Sequence, residues 1–582
     1  MARLQASSGR FRFGPFEADA RVGELRKHGL RIQLQEKSFE VLVALLEQPR
    51  ELVTREDLQQ RLWPEGISVD FDNSLNSAVN RLRDALRDGA RRPRYIQTLR
   101  GRGYRFIAPV EQIRAATLTV AVLPFASLSH DPEQDLFGDA VADVLTTELG
   151  SVSTLRVISR QSVLHLKGTK KTVPEIAQEL KADAIVEGSV MRAGNRIRIA
   201  AQLVQASPEK HLWARTYDCD LADVLTVQGQ IAHAIAGAVQ LALTPAEVAR
   251  LARARPVDPE AHLAYLKGRH HMGRWSRESF EKALEYFRLA LARDPDHALA
   301  CAQAAVCYGL LGFWGHLPFR DAYQKAKESA EKAIALDDAL SSAHWALGWA
   351  TWMRDWDLAA CEAETLRAIE LNPSDEHARQ QYAIFLATTS EDCSGAVRET
   401  RLALDLDPLS QYVNGIAAWV YLFVKDYDQA IDQARKTLEL FPGSLQAYWI
   451  IGLAEMCRNR FAEAIAVLEQ ALAISRDPFS IAYLGSVHAR AGNLDVARNM
   501  LSDLLAMSQR EAVPPRCFVL LYGELAERDQ AFEWLEKAYQ ARDSGLFFLR
   551  VIPLYDPLRS DPRFDEMLGR IGIPRTPSVK AK

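Results

Sequence analysis

The stretch "QTLRGRGYRFI", residues 97–107, decides the fold of the first part of the chain. Two short arms in which apolar and polar residues alternate flank a turn that contains Gly101 and Gly103. This pattern predicts a β-hairpin, and glycine allows the tight turn because it carries no Cβ. Three arginines surround the turn: Arg100, Arg102 and Arg105. The hairpin therefore concentrates positive charge, which suits contact with a polyanion.

Segments whose apolar residues have the spacing of a helix precede this hairpin. "VTREDLQQRLWP" (53–64) begins with Thr54 as N-cap and Asp57 at the third helical position, a variant of the capping box, and ends at Pro64. "DNSLNSAVNRLRDALRD" (72–88) then predicts a helix whose apolar face consists of Leu75, Val79, Leu82 and Leu86. Further upstream, "EKSFEVLVALLEQP" (36–49) predicts another helix, and "FRFGPFEADARVGELRKHGLRIQL" (11–34) predicts a small antiparallel sheet.

The opposite face of the 72–88 helix is polar and basic. It carries Asn73, Ser77, Asn80 and Arg81, with Arg83 and Arg87 at its flanks. Nine arginines and only two aspartates lie between Val79 and Phe106, although the whole chain has a net charge of −4. A mildly acidic protein with one basic strip is expected to turn one end towards nucleic acid.

The strings "VTREDLQQRLWP", "LNSAVNRLRDALRD" and "PRYIQTLRGRGYRF" resemble the OmpR/PhoB-type winged-helix DNA-binding domain over residues 10–110. The resemblance implies that the third helix enters the major groove of duplex DNA and that the hairpin, or wing, reaches the adjacent minor groove. It places Ser77, Arg81 and Arg83 at recognition-helix positions, and Thr98 and Arg100 at wing contacts. The full predicted DNA-binding set is Asn73, Ser77, Asn80, Arg81, Arg83, Arg87, Thr98, Arg100 and Arg102.

Residues 116–245 alternate strand and helix patterns, which predicts a small α/β domain. Its strings "VAVLPF", "ADAIVEGSVMR" and "HLWARTYD" resemble the TolB N-terminal-like domain. That resemblance says little about chemistry, so the role of this domain stays open.

A sequence period of about 34 residues indicates the structure of residues 257–545. Small residues recur at one helix position: Ala283, Ala326, Cys361, Ala396, Ala430, Ala464, Ala497 and Ala531. A second column follows seven residues later, from Ala290 to Ala538. This period is typical of tetratricopeptide repeats, and about eight repeats are predicted, which stack into an all-α solenoid. The tryptophans of the repeats are interpreted as stacking core and not as a ligand site. Residues 546–575 resemble the capping segment that ends such arrays.

The expected protein is thus multidomain: a winged helix of α+β class, a small α/β domain, and a repeat solenoid. No P-loop, G-x-S-x-G, HExxH, cyclase-like or kinase-like motif set is found, so no enzyme, cofactor or metal site is predicted. The absence of a signal peptide and of a long apolar run favours a cytoplasmic protein without membrane contact.

The leading hypothesis is a one-component transcriptional regulator that binds double-stranded DNA and takes a protein or peptide ligand in the repeat groove. RNA polymerase and a second copy of the chain are further candidate partners. The alternative is a non-enzymatic scaffold or adaptor whose winged helix contacts protein. Salt-dependent affinity for duplex DNA separates the two.

Overall fold

The computed structural model divides the chain into two compact units, residues 1–117 and 118–582. The residues it describes are 10–19, 23–27, 30–32, 34–62, 71–89, 93–99, 101–108, 110–113, 118–127, 132–239, 241, 243–252, 257–272, 277–313, 316–391, 393–511 and 513–574. Within these ranges, no helix has the length and apolar character needed to cross a membrane.

The first unit contains three helices and two antiparallel sheets. Its elements are β1 (Arg10–Phe13), β2 (Phe16–Asp19), β3 (Glu24–Lys27), β4 (Leu30–Ile32), α1 (Glu36–Glu47), β5 (Val53–Thr54), α2 (Arg55–Leu62), α3 (Phe71–Leu86), β6 (Ile96–Leu99), β7 (Gly103–Phe106) and β8 (Glu111–Ile113). One sheet has the strand order β4-β3-β2-β1-β8, and the other has the order β5-β7-β6. The predicted apolar face of α3 is buried. The predicted winged helix is therefore confirmed.

Local sequence signals explain where α2 begins. The Thr54 backbone N–H donates to the Asp57 carboxylate at 3.0 Å, and the Asp57 N–H donates to Thr54 Oγ1 at 3.1 Å. This reciprocal pair satisfies two backbone donors that the first turn of a helix leaves open. The predicted capping box is confirmed, whereas Pro64, the predicted end of the helix, lies outside the described residues.

The second unit begins with the α/β part. Its elements are β9 (Leu118–Val122), β10 (Ala126–Ser127), α4 (Pro132–Gly150), β11 (Leu155–Val157), α5 (Arg160–Leu164), α6 (Val173–Leu180), β12 (Ala184–Ala193), β13 (Arg196–Ala206), β14 (Glu209–Asp220), α7 (Val224–Ala238) and α8 (Pro245–Leu251). The sheet has the order β11-β9-β12-β13-β14, with β10 beside β12. Strands β11, β9 and β12 are parallel, and β13 and β14 continue as antiparallel hairpins. This agrees with the predicted α/β class.

Sixteen helices then form eight pairs in the described part of the repeat region. They are α9 (Pro259–Met272), α10 (Arg277–Arg293), α11 (Ala298–Phe313), α12 (Phe319–Leu336), α13 (Ser341–Asp355), α14 (Leu358–Leu371), α15 (Glu376–Thr389), α16 (Ser394–Leu406), α17 (Gln411–Phe423), α18 (Tyr427–Leu440), α19 (Leu445–Cys457), α20 (Phe461–Ile474), α21 (Pro478–Arg490), α22 (Leu494–Ser508), α23 (Pro515–Glu524) and α24 (Arg528–Gln540). Every residue of the two predicted columns is at most 1% exposed. Small side chains let the paired helices approach closely, which confirms the solenoid.

The chain after α24 does not simply cover the end of the solenoid. It forms two short 3-10 helices (Ser544–Phe548 and Pro553–Leu558) and then α25 (Pro562–Arg570). Phe547 packs on Trp352 with ring centroids 5.1 Å apart, and Phe548 packs on Phe423 at 5.3 Å. The Arg550 guanidinium donates to the carbonyl oxygens of Thr389 and Ser390, both at 2.9 Å. The last repeat and the middle repeats are therefore joined across the concave side.

Polar contacts fasten the α/β part to the first and fourth repeats. The Asp143 carboxylate on α4 accepts from the Arg269 guanidinium on α9 at 2.7 and 2.8 Å. Arg269 also donates to Gln303 on α11 at 2.7 Å. The Ser159 N–H donates to the Leu406 carbonyl at 2.8 Å. The two parts that the sequence treats as separate domains form one compact unit.

Asp407 lies in the same junction and is fully buried. Its Oδ1 accepts from the Ser162 hydroxyl at 2.6 Å and from the Ser162 N–H at 3.1 Å. Its Oδ2 is buried and has no hydrogen-bond partner among the described residues. Burial, with a further contribution from Glu376, raises the pKa of Asp407 to about 7. The junction therefore contains a carboxyl group that holds its proton near neutral pH.

This raised pKa predicts a pH-dependent stability of the second unit. An acid whose folded pKa lies above its unfolded value stabilises the fold fully below about pH 4, and this contribution is lost as the pH rises towards 7. We expect Asp407→Asn to be more stable than the wild type at pH 8 by about 2 kcal/mol. Its unfolding free energy, measured in urea from pH 4 to 8, should vary less with pH than that of the wild type.

Asp405→Asn is the control, because Asp405 is half exposed and pairs with Arg156 at 3.3 Å. Equal pH profiles for all three proteins would contradict the prediction.

Candidate nucleic-acid interface

Helix α3 presents the polar face that the sequence predicts. Ser77, Asn80 and Arg81 are exposed, while Leu75, Val79 and Leu82 beneath them are at most 1% exposed. The Arg81 guanidinium reaches Gln35, just before α1, and donates to its side-chain oxygen. Arg87 is also exposed, at the position directly after the helix. Short polar and basic groups on an exposed helix can contact base edges and phosphates.

The wing consists of β6 and β7, which pair in register from Ile96 with Phe106 to Leu99 with Gly103. The Arg102 N–H donates to the Leu99 carbonyl at 2.9 Å and closes the turn, and the Arg102 side chain is exposed. Thr98 is exposed on β6. Gly103 lies against β5 so closely that only a residue without a side chain fits there. The wing is thus held to the body of the domain by backbone contacts.

Arg83 has a different environment from the other predicted DNA contacts. It is only 8% exposed, and its Nη2 donates to the Ile96 carbonyl at 2.9 Å and to Thr98 Oγ1 at 2.8 Å. These bonds tie α3 to the first strand of the wing. The helical pattern placed Arg83 at the flank of the polar face, but it could not show that the wing covers this flank. The placement favours a positioning role for Arg83, and its contact with DNA stays a prediction.

Two of the predicted residues cannot be placed. Arg100 lies outside the described residues, and the side chain of Asn73 does as well. Their contacts with DNA therefore stay predictions.

Sequence reasoning missed a contact that joins α2, α3 and the wing. Tyr104 on β7 donates its hydroxyl to Asn76 Oδ1 at 2.9 Å, and Arg55 on α2 donates to the same oxygen at 3.4 Å. Asn76 itself is exposed on α3. The sequence shows a polar residue at this position of α3. Its partners lie 21 and 28 residues away, so the helical pattern could not identify them. Asn76 therefore aligns the three elements that would face DNA.

Asp88 completes the support of the wing. One carboxylate oxygen accepts from the Arg94 N–H at 2.6 Å, and the other accepts from the Ile96 N–H at 2.8 Å. The side chain is 8% exposed. Although Asp88 lies in the arginine-rich strip, its carboxylate fixes the start of β6.

One cluster could be mistaken for a metal site. Asp375, Glu376 and His377 bring potential ligand atoms within 4.8 Å of one another at the start of α15. Asp375 already accepts from the N–H groups of His377 and Ala378, at 3.1 and 3.0 Å, and from the Ser341 hydroxyl at 2.6 Å. Glu376 pairs with His377 at 3.0 Å. These bonds describe a helix cap, so we assign no metal to the cluster.

The fold and this face define a class of protein: a winged-helix module joined to a repeat solenoid. Residues 29–106 match the family model described as "Transcriptional regulatory protein, C terminal". The N-terminal unit is thus a DNA-binding domain of the OmpR/PhoB type, and the second half of the chain is a tetratricopeptide-like solenoid.

Three curated relatives are similar to parts of the chain. "Putative adenylate cyclase 3" of Rhizobium meliloti is 35% identical over 245 residues, which cover 41% of each protein. "Transcriptional regulator HilA" of Salmonella typhimurium is 23% identical over 420 residues, which cover 70% of this chain and 73% of the relative. The "Cholera toxin transcriptional activator" of Vibrio cholerae is 39% identical over 83 residues, 14% of this chain and 28% of the relative. The chain spans less than half the length of the first and third relatives.

Proposed function

We propose that this protein is a one-component transcriptional regulator that acts in the cytoplasm. Its winged helix binds duplex DNA, with α3 in the major groove and the wing at the adjacent minor groove. Its repeats receive a protein or peptide partner whose binding adjusts regulation. The observation that carries the proposal is the exposed row of Ser77, Asn80 and Arg81 on α3, next to an exposed, arginine-bearing wing.

The similarity to two named transcriptional regulators supports the proposal. The relative named as a putative adenylate cyclase is similar over less than half of its length. No cyclase-like motif set is found in this sequence. We therefore favour regulation over catalysis as the function of the chain.

The DNA-binding part makes a direct prediction about Arg81. We expect Arg81→Ala to weaken binding to duplex DNA and to reduce the slope of log affinity against log salt by about one, because one phosphate contact is lost. Fluorescence anisotropy with labelled duplexes at several salt concentrations measures both quantities. Arg26→Ala is the control, since Arg26 is exposed on β3 and is already paired with Glu24 at 2.8 Å.

Two outcomes would count against the assignment. If Arg81→Ala and Arg26→Ala changed the salt slope equally, α3 would not be the DNA-facing helix. If the wild type showed no salt-dependent affinity for duplex DNA, the winged helix would instead serve as a protein-binding module of a scaffold.

A further inference from the structure

The concave side of the solenoid contains a cavity of about 520 Å³. It lies within the range of roughly 300–1,000 Å³ that is usual for small-molecule sites. The inner helices of the repeats contribute most of its wall, from α11 to α23. Many of the lining side chains are aromatic, among them Trp345, Trp349, Trp419 and Trp449. These four tryptophans therefore line a cavity, whereas Trp352 is the stacking core that the sequence predicts.

The C-terminal segment forms part of the wall of this cavity, which we call the chamber. Phe548, Ile552 and Tyr555 from the two 3-10 helices form part of its wall. The bonds of Arg550 to the end of α15 hold this segment across the repeats. A groove that is open along its length accepts an extended chain, whereas a groove crossed by the protein's own segment favours a compact ligand.

The charged groups of the chamber are mainly basic. Among the described residues that line it, Asp543 is the only carboxylate, and the basic residues are Arg516, Arg542 and His377. Arg516 donates through Nη1 to Asp543 at 2.5 Å and to the Ser544 hydroxyl at 3.3 Å. Its Nε and Nη2 make no hydrogen bond to any described residue, and its guanidinium lies over the Phe479 ring, 4.6 Å from the centroid. The Arg542 guanidinium stacks on Trp356 at 3.9 Å and has no carboxylate partner among the described residues.

We propose that this chamber binds a compact, ring-bearing organic anion. The aromatic walls would hold the rings by stacking, and the free donors of Arg516 would receive the carboxylate or sulfonate group. His377 lies stacked between Trp345 and Tyr412, with ring centroids 5.7 Å apart on both sides, so the chamber already holds one planar ring in this way. The proposal deepens the regulator hypothesis, because it gives the repeats a chemical signal in addition to a protein partner.

Two fluorescent probes test the proposal on the full chain. Anilinonaphthalene sulfonate carries rings and an anionic group, whereas phenylnaphthylamine carries the same ring system without the charge. We expect one saturable site for each probe on the wild type. Arg516→Met should weaken the sulfonate probe about tenfold or more, because a hydrogen bond to a charged group is lost, and should change the neutral probe less than about twofold.

Three further variants keep the test independent of misfolding. Asp543→Asn should strengthen sulfonate binding, because it removes the carboxylate that competes for Arg516. Ile416→Trp should weaken both probes, because Ile416 lines the chamber. Arg476→Met is the matched control: Arg476 pairs with Asp503 at 2.5 Å over the same separation of 27 residues as Arg516 and Asp543, but on the exposed surface.

The proposal fails if Arg516→Met, still folded by circular dichroism, binds the sulfonate probe like the wild type. It also fails if Arg476→Met weakens the sulfonate probe as strongly. Probe binding and DNA binding are measured on the same preparations. Loss of one with retention of the other therefore shows which of the two proposals is wrong.

Discussion

Gly103→Ala is expected to lower the stability of the winged-helix unit by about 3 kcal/mol or more, and to abolish DNA binding with it. A Cβ at position 103 would lie 2.1 Å from the Val53 carbonyl oxygen and 2.9 Å from the Thr54 Cα. Both are backbone atoms of β5, so no side-chain rotation relieves the collision. The backbone at Gly103 also has φ of +152°, which side chains disfavour. The wing would have to leave β5, and the core residues Tyr104 and Phe106 would follow.

Gly101→Ala is the matched control within the same hairpin. Its φ is +68°, and nothing lies within 4 Å of an added Cβ. Only the backbone cost of about 1 kcal/mol remains. Hydrogen exchange of β7 amides in the full chain, followed by mass spectrometry, would measure both variants. Equal protection of β7 in the two variants would show that the contact between β5 and β7 is looser than the structure indicates.

Asp143→Ala is expected to lower the stability of the second unit by about 3–5 kcal/mol. The change leaves the Arg269 and Arg160 guanidinium groups without their carboxylate, in a place where Asp143 is only 5% exposed. Burial alone would raise the pKa of Asp143, but the two arginines outweigh it and hold the pKa below its ordinary value. A depressed folded pKa means that this stabilisation is present at neutral pH and is lost as the pH falls below about 4.

The exposed pair of Arg198 and Asp218 serves as the control in the same α/β part. It has a similar distance, 2.8 Å, but its side chains are 56% and 48% exposed. We expect Arg198→Ala to lower the stability far less than Asp143→Ala does, because solvent screens an exposed ion pair. Urea unfolding of the full chain, with hydrogen exchange of α4 and α9 to assign the transition, gives both values. A loss for Asp143→Ala no larger than that for Arg198→Ala would mean that the junction contributes little to the fold.

Much of the candidate DNA interface could be predicted from the sequence, because its signals are local. The spacing of Leu75, Val79, Leu82 and Leu86 fixes which face of α3 is buried, and so which face remains for DNA. Arg83 shows the limit of this reasoning. A helical pattern reports the angle of a side chain around the helix axis, but not which other element covers it. Arg83 bonds to β6, 13 and 15 residues away, and these partners became visible only in the folded domain.

For the protein as a whole, the sequence by itself determined the winged helix, the α/β class of the middle part and the 34-residue solenoid. In each part, one face of every local element is buried. This burial produces a periodic pattern of apolar or small residues in the sequence. The tertiary structure alone decided that Asp143 meets Arg269, and that the C-terminal segment crosses the concave side through Arg550. These contacts join residues 126 and 161 positions apart. A local period reports which face of an element is buried, but not which distant residues that face meets.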